Sequence, residues 1–520
     1  MKKSQPFNKF IMKYLYFVLG VLFFSSCATT KKNSSQTKDD GILEVVLVQV
    51  NDVYEIAAIE NGKTGGVARI AALKKKYLQQ NPNTLLLMAG DFFSPSVYNS
   101  LQYEGKRIRG KQMVAAMNAA GFDWAIFGNH EFDISEKEAQ ERIDESAFSW
   151  VASNTFHKTA GGVLPFAKQK KNGAVIFPEK AIITLKDADG TVAKLGLFGI
   201  TLPFNKADYV SYTDPLEASK KMYAVLKDSC DAVVAITHQA IADDIVLAKE
   251  IPGLTAIVGG HEHDMRREEV GQVTITKAHS NAKSAYIIRV LINKKTKKTV
   301  VTDSLYYINE TVAPDSATQV VVDYWTGIAN ANYASIGFNA KEVIMASGPA
   351  LDGRDDVVRS EETNFTQLLV KALEKASPAA DIILFNGGSM RLDDFLQAPI
   401  TQYDIIRTLP FGGAIKEVAI KGSLLIQVLN VGLKNKGTGG FLHSSNTKLV
   451  NGVWFLKGMP IDENAIYRVA LTDFLFSGKE ANLGFLQPAN PGVIKIYDDF
   501  KSPDIRSDIR LAFISYLKSL

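Results

Sequence analysis

From Leu43 onward the chain repeats one pattern: a short apolar run, then at once a glycine or a polar residue able to do chemistry. Leu43 to Val50 ends in Asn51-Asp52, Thr84 to Ala89 in Gly90-Asp91, and Trp124 to Phe127 in Gly128-Asn129-His130. Further on, Asp231 to Ile236 ends in Thr237-His238, and Leu254 to Val258 in Gly259-Gly260-His261-Glu262-His263. Runs of this length, rich in Val, Ile and Leu, predict buried strands. Between them, Val67 to Gln79 and Gly110 to Ala120 carry apolar residues at helical spacing, which predicts helices. Alternating strands and helices build a layered α/β domain, and ligands of such sheets collect beyond the carboxyl ends of the strands, where these polar residues fall.

The pattern breaks at Pro314 to Asn339, which reads as one helix with loose ends, and resumes near Lys341. Thr363 to Ala376 and Ser423 to Leu433 predict helices there, and Asp381 to Phe385 a strand. A length of 520 residues is more than one hydrophobic core usually serves, so two domains are expected. The expected divisions are a first α/β domain at 41–313, a linking helix at 314–340 and a second α/β domain at 341–520. No period of 20 to 50 residues recurs, which argues against a solenoid or propeller.

Ahead of this lies a segment of another kind. Lys2, Lys3, Lys9 and Lys13 precede an apolar run from Tyr14 to Phe24, followed by Ser25-Ser26-Cys27. At about 1.5 Å per helical residue that run is too short to span a bilayer, and small residues before a lone Cys resemble a bacterial lipoprotein cleavage box. Residues 1–26 are thus expected to be an export signal, Cys27 the lipidated first residue, and the polar residues 27–40 a flexible tether. The protein would then sit in the cell envelope, facing the periplasm or the surface, with a lipid anchor as its only membrane contact. An ordinary signal peptide or signal anchor with an incidental Cys is the alternative, and Phe24 stands where such boxes prefer Leu. Cys230 then has no partner for an intramolecular disulfide. The composition, 46% apolar and 22% charged, is that of an ordinary globular protein, and a net charge of +4 leaves no basic field to grip polymeric nucleic acid.

Seven polar residues gather at five strand ends: Asp52, Asp91, Asn129, His130, His238, His261 and His263. One such residue alone is more often a cap than a ligand. Together they form a mixed carboxylate, imidazole and carboxamide set, which suits zinc, manganese, iron or cobalt and disfavours an all-thiolate structural site.

These residues resemble the five-motif signature of calcineurin-like metallophosphoesterases: Asp52, Gly90-Asp91, Gly128-Asn129-His130-Glu131, His238 and Gly259-Gly260-His261-Glu262-His263. Phe132-Asp133 and the character of the second half narrow the resemblance to the bacterial 5′-nucleotidase and UDP-sugar hydrolase family, over residues 42 to 500. The resemblance implies an N-terminal four-layer α/β/β/α metallophosphoesterase domain, a C-terminal α/β substrate-binding domain, and two divalent metal ions, whether zinc, manganese, iron, cobalt or magnesium. Carried over by motif, Asp91 would bridge the ions, with Asn129, His238 and His261 on one and Asp52 and His263 on the other. His130 resembles the catalytic histidine, held by Asp133, that stabilises the phosphate in the transition state. A carboxylate partner fixes an imidazole's tautomer and raises its pKa. The family's first motif is Asp-x-His, but here it reads Asp52-Val53-Tyr54. A neutral phenol is a poor ligand, so either one ion loses a nitrogen donor and shifts toward harder metals, or Tyr54 simply packs.

In the second half, Asn386-Gly387-Gly388-Ser389-Met390-Arg391 resembles the family's Asn-Gly-Gly-x-x-Arg, and Arg359 its other anion-binding arginine. Taken alone, each arginine reads as a surface ion pair. Leu409-Pro410-Phe411-Gly412-Gly413 matches the segment whose Phe stacks on a base; Phe474 is either the second face of that sandwich or a core aromatic. Where the family has Gly-Gly-Asp-Gly-Phe, this chain has Gly478-Lys479-Glu480-Ala481-Asn482-Leu483-Gly484-Phe485, so Glu480 or Asn482 would have to replace a ribose-binding Asp. The expected function is hydrolysis of nucleoside 5′-monophosphates to nucleoside and phosphate. The rivals are a UDP-sugar or cyclic-nucleotide hydrolase of the same fold, and a non-catalytic nucleotide- or metal-binding surface lipoprotein. The sequence leaves the oligomeric state open.

Overall fold

The computed structural model describes residues 39–204, 207–497 and 504–520. The export signal, Cys27 and nearly all of the tether lie outside the described residues. The first strand, β1 (Ile42–Val50), sets the architecture because both of its faces are apolar. Leu43, Val45 and Leu47 enter one core, while Val46, Val48 and Val50 enter another. A strand alternates its side chains between faces, so a continuous apolar run must lie between two layers.

Those layers are two six-stranded sheets. β1 runs parallel to β2 (Thr84–Met88), which leads in parallel to β3 (Trp124–Ala125) and β4 (Ser149–Trp150). The second sheet takes β5 (Lys180–Lys186), β6 (Val192–Thr201), β7 (Ala232–His238), β8 (Ala256–Gly260), β9 (Arg266–Val270) and β10 (Val273–Lys277), in the order β5-β6-β7-β8-β10-β9. β11 (Ser284–Asn293) and β12 (Lys298–Tyr307) then return as an antiparallel hairpin, completing the first sheet as β12-β11-β1-β2-β3-β4. The sheets face each other through Val45, Leu47, Leu195, Val234 and Val258. Helices α1 (Val67–Gln80) and α2 (Lys111–Ala120) cover the outer face of the first sheet, and α3 (Pro215–Leu226) and α4 (Ile241–Glu250) that of the second. The layers therefore stack as α/β/β/α.

The segment expected to link the domains forms α5 (Ser316–Ser335), which lies across α1 and α2 and buries Val322, Trp325 and Tyr333. Beyond it, β13 (Ile382–Asn386), β14 (Ile415–Lys421), β15 (Leu442–Ser444), β16 (Ile466–Thr472) and β17 (Val493–Tyr497) form a mixed sheet ordered β15-β13-β16-β14-β17. One face is covered by α8 (Gly422–Lys434), the other by α6 (Asn364–Ala376) and α9 (Ile509–Leu517), while α7 (Gln402–Thr408) lies at the border with the first domain. The chain is thus a two-domain α/β protein. Among the described residues no helix is long and apolar enough to cross a membrane.

The hairpin of β11 and β12 was not anticipated by the apolar runs. β12 alternates half-buried and exposed positions and interrupts its apolar residues with Thr, Asp and Ser, so no continuous apolar run marks it.

Candidate active site

The carboxyl ends of β1, β2, β3, β7 and β8 converge on one buried cradle. Its tightness is written in the backbone. Asp52 (φ 52°), Asp91 (φ 59°) and His261 (φ 91°) all adopt left-handed conformations, which side chains other than Gly rarely take outside functional or turn positions. A Cβ on Gly128 would lie 2.1 Å from Asp91 Oδ1, so only glycine lets these strand ends approach so closely.

Hydrogen bonds then divide each carboxylate into a held oxygen and a free-facing one. Asp52 Oδ2 accepts from Asn51 Nδ2 at 2.7 Å and from the His261 backbone N–H at 3.0 Å. Asp91 Oδ1 accepts the His130 backbone N–H at 2.8 Å. The other two oxygens face His238, whose Nε2 lies 3.1 Å from Asp91 Oδ2 and 3.9 Å from Asp52 Oδ1. His238 Nδ1 donates to the Ala89 carbonyl at 2.7 Å, which leaves Nε2 aimed at the carboxylates.

One ligand atom from each of Asp52, Asp91 and His238 lies within 4.8 Å of the others. Asn129 Oδ1 is buried with no hydrogen-bond partner, and His238 Nε2 faces only the carboxylates, 3.1 Å from Asp91 Oδ2. A buried polar atom without a partner is costly, and a cation among these donors would satisfy Asn129 Oδ1. The residues present therefore fit a metal ion. The charges show the same strain: burial opposes the His238 imidazolium, yet Asp91 and Asp52 outweigh it and raise the pKa to about 10. Burial, then the charge of His238, pushes neighbouring His261 down to about 4.

On the other side of the cradle Tyr54 does not merely pack. Its hydroxyl is 3.0 Å from His263 Nε2 and 3.3 Å from both Asp52 Oδ1 and Asp91 Oδ2. His263 Nδ1 is paired with Asp393 of the second domain, which turns Nε2 toward Tyr54 and Asp52. His130 stands at the rim with Nδ1 2.7 Å from Asp133 Oδ2, and Ser94 Oγ donates to that same oxygen at 3.1 Å. Burial opposes the His130 imidazolium, but Asp91 and Asp133 prevail and raise its pKa.

Three supporting residues carried no role in the sequence reading. Glu131, fully buried, accepts the backbone N–H groups of Asp91, Phe92, Phe93 and Gly128 at 2.5 to 3.0 Å, and so shapes the turn that presents Asp91. Lys277, also fully buried, lies 2.9 Å from Asp244 and 2.5 Å from Glu262 and donates to the Gln239 carbonyl, tying together the loops after β7 and β8. Asp393 is the third. Glu131 lies within the quoted motif, and Lys277 is marked only as a charge closing an apolar run; nothing in the sequence marks Asp393.

The second domain contributes a cavity of about 810 Å³ lined by Asn386, Arg391, Phe411, Phe474, Glu480 and, from the first domain, Arg107. Phe411 is 63% exposed and Phe474 44% exposed, so neither is a core residue. Asn386 Nδ2 donates to Glu480 Oε2 at 2.7 Å, whereas Asn482 turns away to Asn435. Arg391 also lines the small cavity shared by Tyr54, His130 and His263, and so connects the cradle to the larger pocket. Arg359 is not brought to that junction: it pairs with Asp355 and lines a neighbouring cleft beside His261, His263 and Asp393.

Residues 45–265 match the calcineurin-like phosphoesterase family and residues 343–485 the 5′-nucleotidase C-terminal domain family. Among curated proteins, Protein UshA of Yersinia enterocolitica is 25% identical over 89% of this chain and 92% of its own length. The trifunctional nucleotide phosphoesterase protein YfkN of Bacillus subtilis is 23% identical over 87% of this chain, which spans only 33% of that longer protein. The crystal structure of a 5′-nucleotidase precursor from Thermus thermophilus superposes with a TM-score of 0.65 at 23% identity, covering 92% of this chain and 96% of that one. This last likeness is one of fold.

Proposed function

Because the chain joins a calcineurin-like phosphoesterase domain to a 5′-nucleotidase C-terminal domain, and so belongs to the 5′-nucleotidase family, we propose that it is an exported hydrolase releasing phosphate from nucleoside 5′-monophosphates. The observation that carries this reading is Arg391, whose side chain lines both the His130 cradle and the pocket of exposed phenylalanines. A phosphate at the cradle and a base between Phe411 and Phe474 are thereby within one molecule's reach.

In this reading two cations would be held with Asp91 common to both, Asn129, His238 and His261 serving one and Asp52 and His263 the other. When bound, such cations supply positive charge that withdraws electrons from a phosphoryl group and makes a water acidic. The chain's own residues do the rest. Arg391 binds phosphoryl oxygens, and a planar guanidinium suits them. His130, its Nδ1 held by Asp133, points its remaining N–H at the leaving oxygen and protonates it as nucleoside departs. Phe411 and Phe474 stack on the base, and Glu480, held by Asn386, faces the sugar. Lipidation of Cys27 would tether the enzyme to the envelope.

A panel of phosphate esters tests the reading. The metal-loaded protein is expected to release phosphate from nucleoside 5′-monophosphates in preference to UDP-sugars and cyclic nucleotides. Equal turnover of a simple aryl phosphate would remove the role given to the aromatic pocket, and no hydrolysis of any ester would leave a binding protein.

A further inference from the structure

Tyr54 stands at the end of β1 with its ring buried and its backbone N–H bonded to Asn281 Oδ1 at 3.2 Å. Its ring edge packs on His263, with centroids 5.4 Å apart. The hydroxyl is therefore held in place, and what it meets there is unusual. A phenol that merely satisfies itself against a carboxylate settles at about 2.7 Å from one oxygen. Tyr54 Oη instead lies equally far, 3.3 Å, from Asp52 Oδ1 and Asp91 Oδ2, with His263 Nε2 at 3.0 Å. One phenolic proton cannot serve both carboxylates.

Those distances have a simpler meaning. Atoms that bind a common cation at about 2.0 to 2.2 Å stand roughly 2.8 to 3.6 Å from one another, depending on the angle between the bonds. The Tyr54 hydroxyl meets that spacing to all three neighbours, and Asp52 Oδ1 to His263 Nε2, at 3.6 Å, meets it as well. Asp393 accepts the Nδ1 proton of His263, which turns Nε2 toward the phenol.

We propose that Tyr54 is a metal ligand: its oxygen, with Asp52 Oδ1, Asp91 Oδ2 and His263 Nε2, forms an oxygen-rich position for a hard cation, ferric iron above all. The neighbouring position, served by His238 and His261, is nitrogen-rich and suits zinc or another borderline divalent ion. On binding, the phenol gives up its proton to solvent and the oxygen–metal bond forms in its place; no electron is transferred, because the iron arrives as the ferric ion. Three anionic oxygens around one ion favour a trivalent charge over a divalent one. The proposal rests on the two-cation reading above and goes beyond it by naming the chemistry of one position.

The test loads the full chain with iron in air and reads iron content together with visible absorption. Two equivalents of metal and a phenolate-to-ferric charge-transfer band are expected. Tyr54→Phe, which keeps the ring and removes only the oxygen, should abolish the band and weaken one equivalent at least tenfold while the other stays. Tyr54→His should keep two equivalents without the band and shift the weaker position toward zinc; it also carries the test should Tyr54→Phe fail to fold. Two equivalents with no band in the wild type, or a band that survives Tyr54→Phe, would overturn the Tyr54 assignment alone. A wild type that binds a single equivalent would overturn the two-cation reading and this proposal with it.

Discussion

The two places where a nucleotide would touch this protein are built on opposite principles. The cradle of Asp52, Asp91, Asn129 and His238 is buried to within 2% of full enclosure, grown from strand ends of two packed sheets, and locked by hydrogen bonds. The pocket of Phe411 and Phe474 is open, with both rings exposed. A buried cradle can place a charge to a fraction of an ångström and tolerates little change, whereas exposed rings recognise a flat surface and accept substitution. Chemistry is therefore expected to be brittle in this protein and recognition graded.

That contrast can be broken at either end. Asp91→Ala should lower bound metal and reduce phosphate release by about a thousandfold or more; elemental analysis alongside a phosphate assay reads both. A variant that keeps its metal and most of its rate would show the cradle to be ornamental. Lys277→Met leaves the buried Asp244 and the half-buried Glu262 without their cation and should cost about 3 to 5 kcal/mol of stability, measured by urea unfolding. His130→Ala should slow turnover by about a hundredfold with metal content unchanged, and loss of metal would instead make His130 a ligand.

Smaller effects are expected on the recognition side. Phe411→Ala removes one stacking face worth about 1 to 3 kcal/mol, so KM should rise roughly tenfold while kcat changes little. Glu480→Gln should raise KM several-fold for a nucleotide with an intact ribose. Asn482→Ala should leave KM within about twofold, since its side chain is turned to Asn435. Equal effects at Glu480 and Asn482 would mean that the loop moves as a unit and that the sugar is not read by one side chain.

Sequence and structure agree where a residue's placement follows from strand register. A strand that ends in a polar residue delivers it to the edge of a sheet, so Asp52, Asp91, Asn129 and His238 could be gathered by counting along apolar runs. Direction was harder to read. Tyr54 was visible as a departure from Asp-x-His, but whether its oxygen faces the carboxylates depends on the turn after β1 and on Asn281, far along the chain. Phe474 could be core or surface on pattern alone, and its exposure is settled by the short helix Asp473–Phe476 that carries it. Arg359 and Arg391 looked like a pair, yet Arg359 is paired with Asp355 and lines a neighbouring cleft. Asp393 was invisible because its partner His263 lies in the other domain, and no local period encodes such a contact.

That contact reaches beyond its own geometry. Asp393 and His263 meet across the junction of the two domains, flanked by Lys283 with Asp394 and Tyr403 with Glu55. Linkage is reciprocal: if closing the junction steadies the imidazole that binds an ion, then the ion favours the closed junction by the same free energy. Parting the domains and releasing the ion become two readings of one equilibrium. A chelator in solution and a wedge driven between the domains would be the same perturbation, applied from opposite ends.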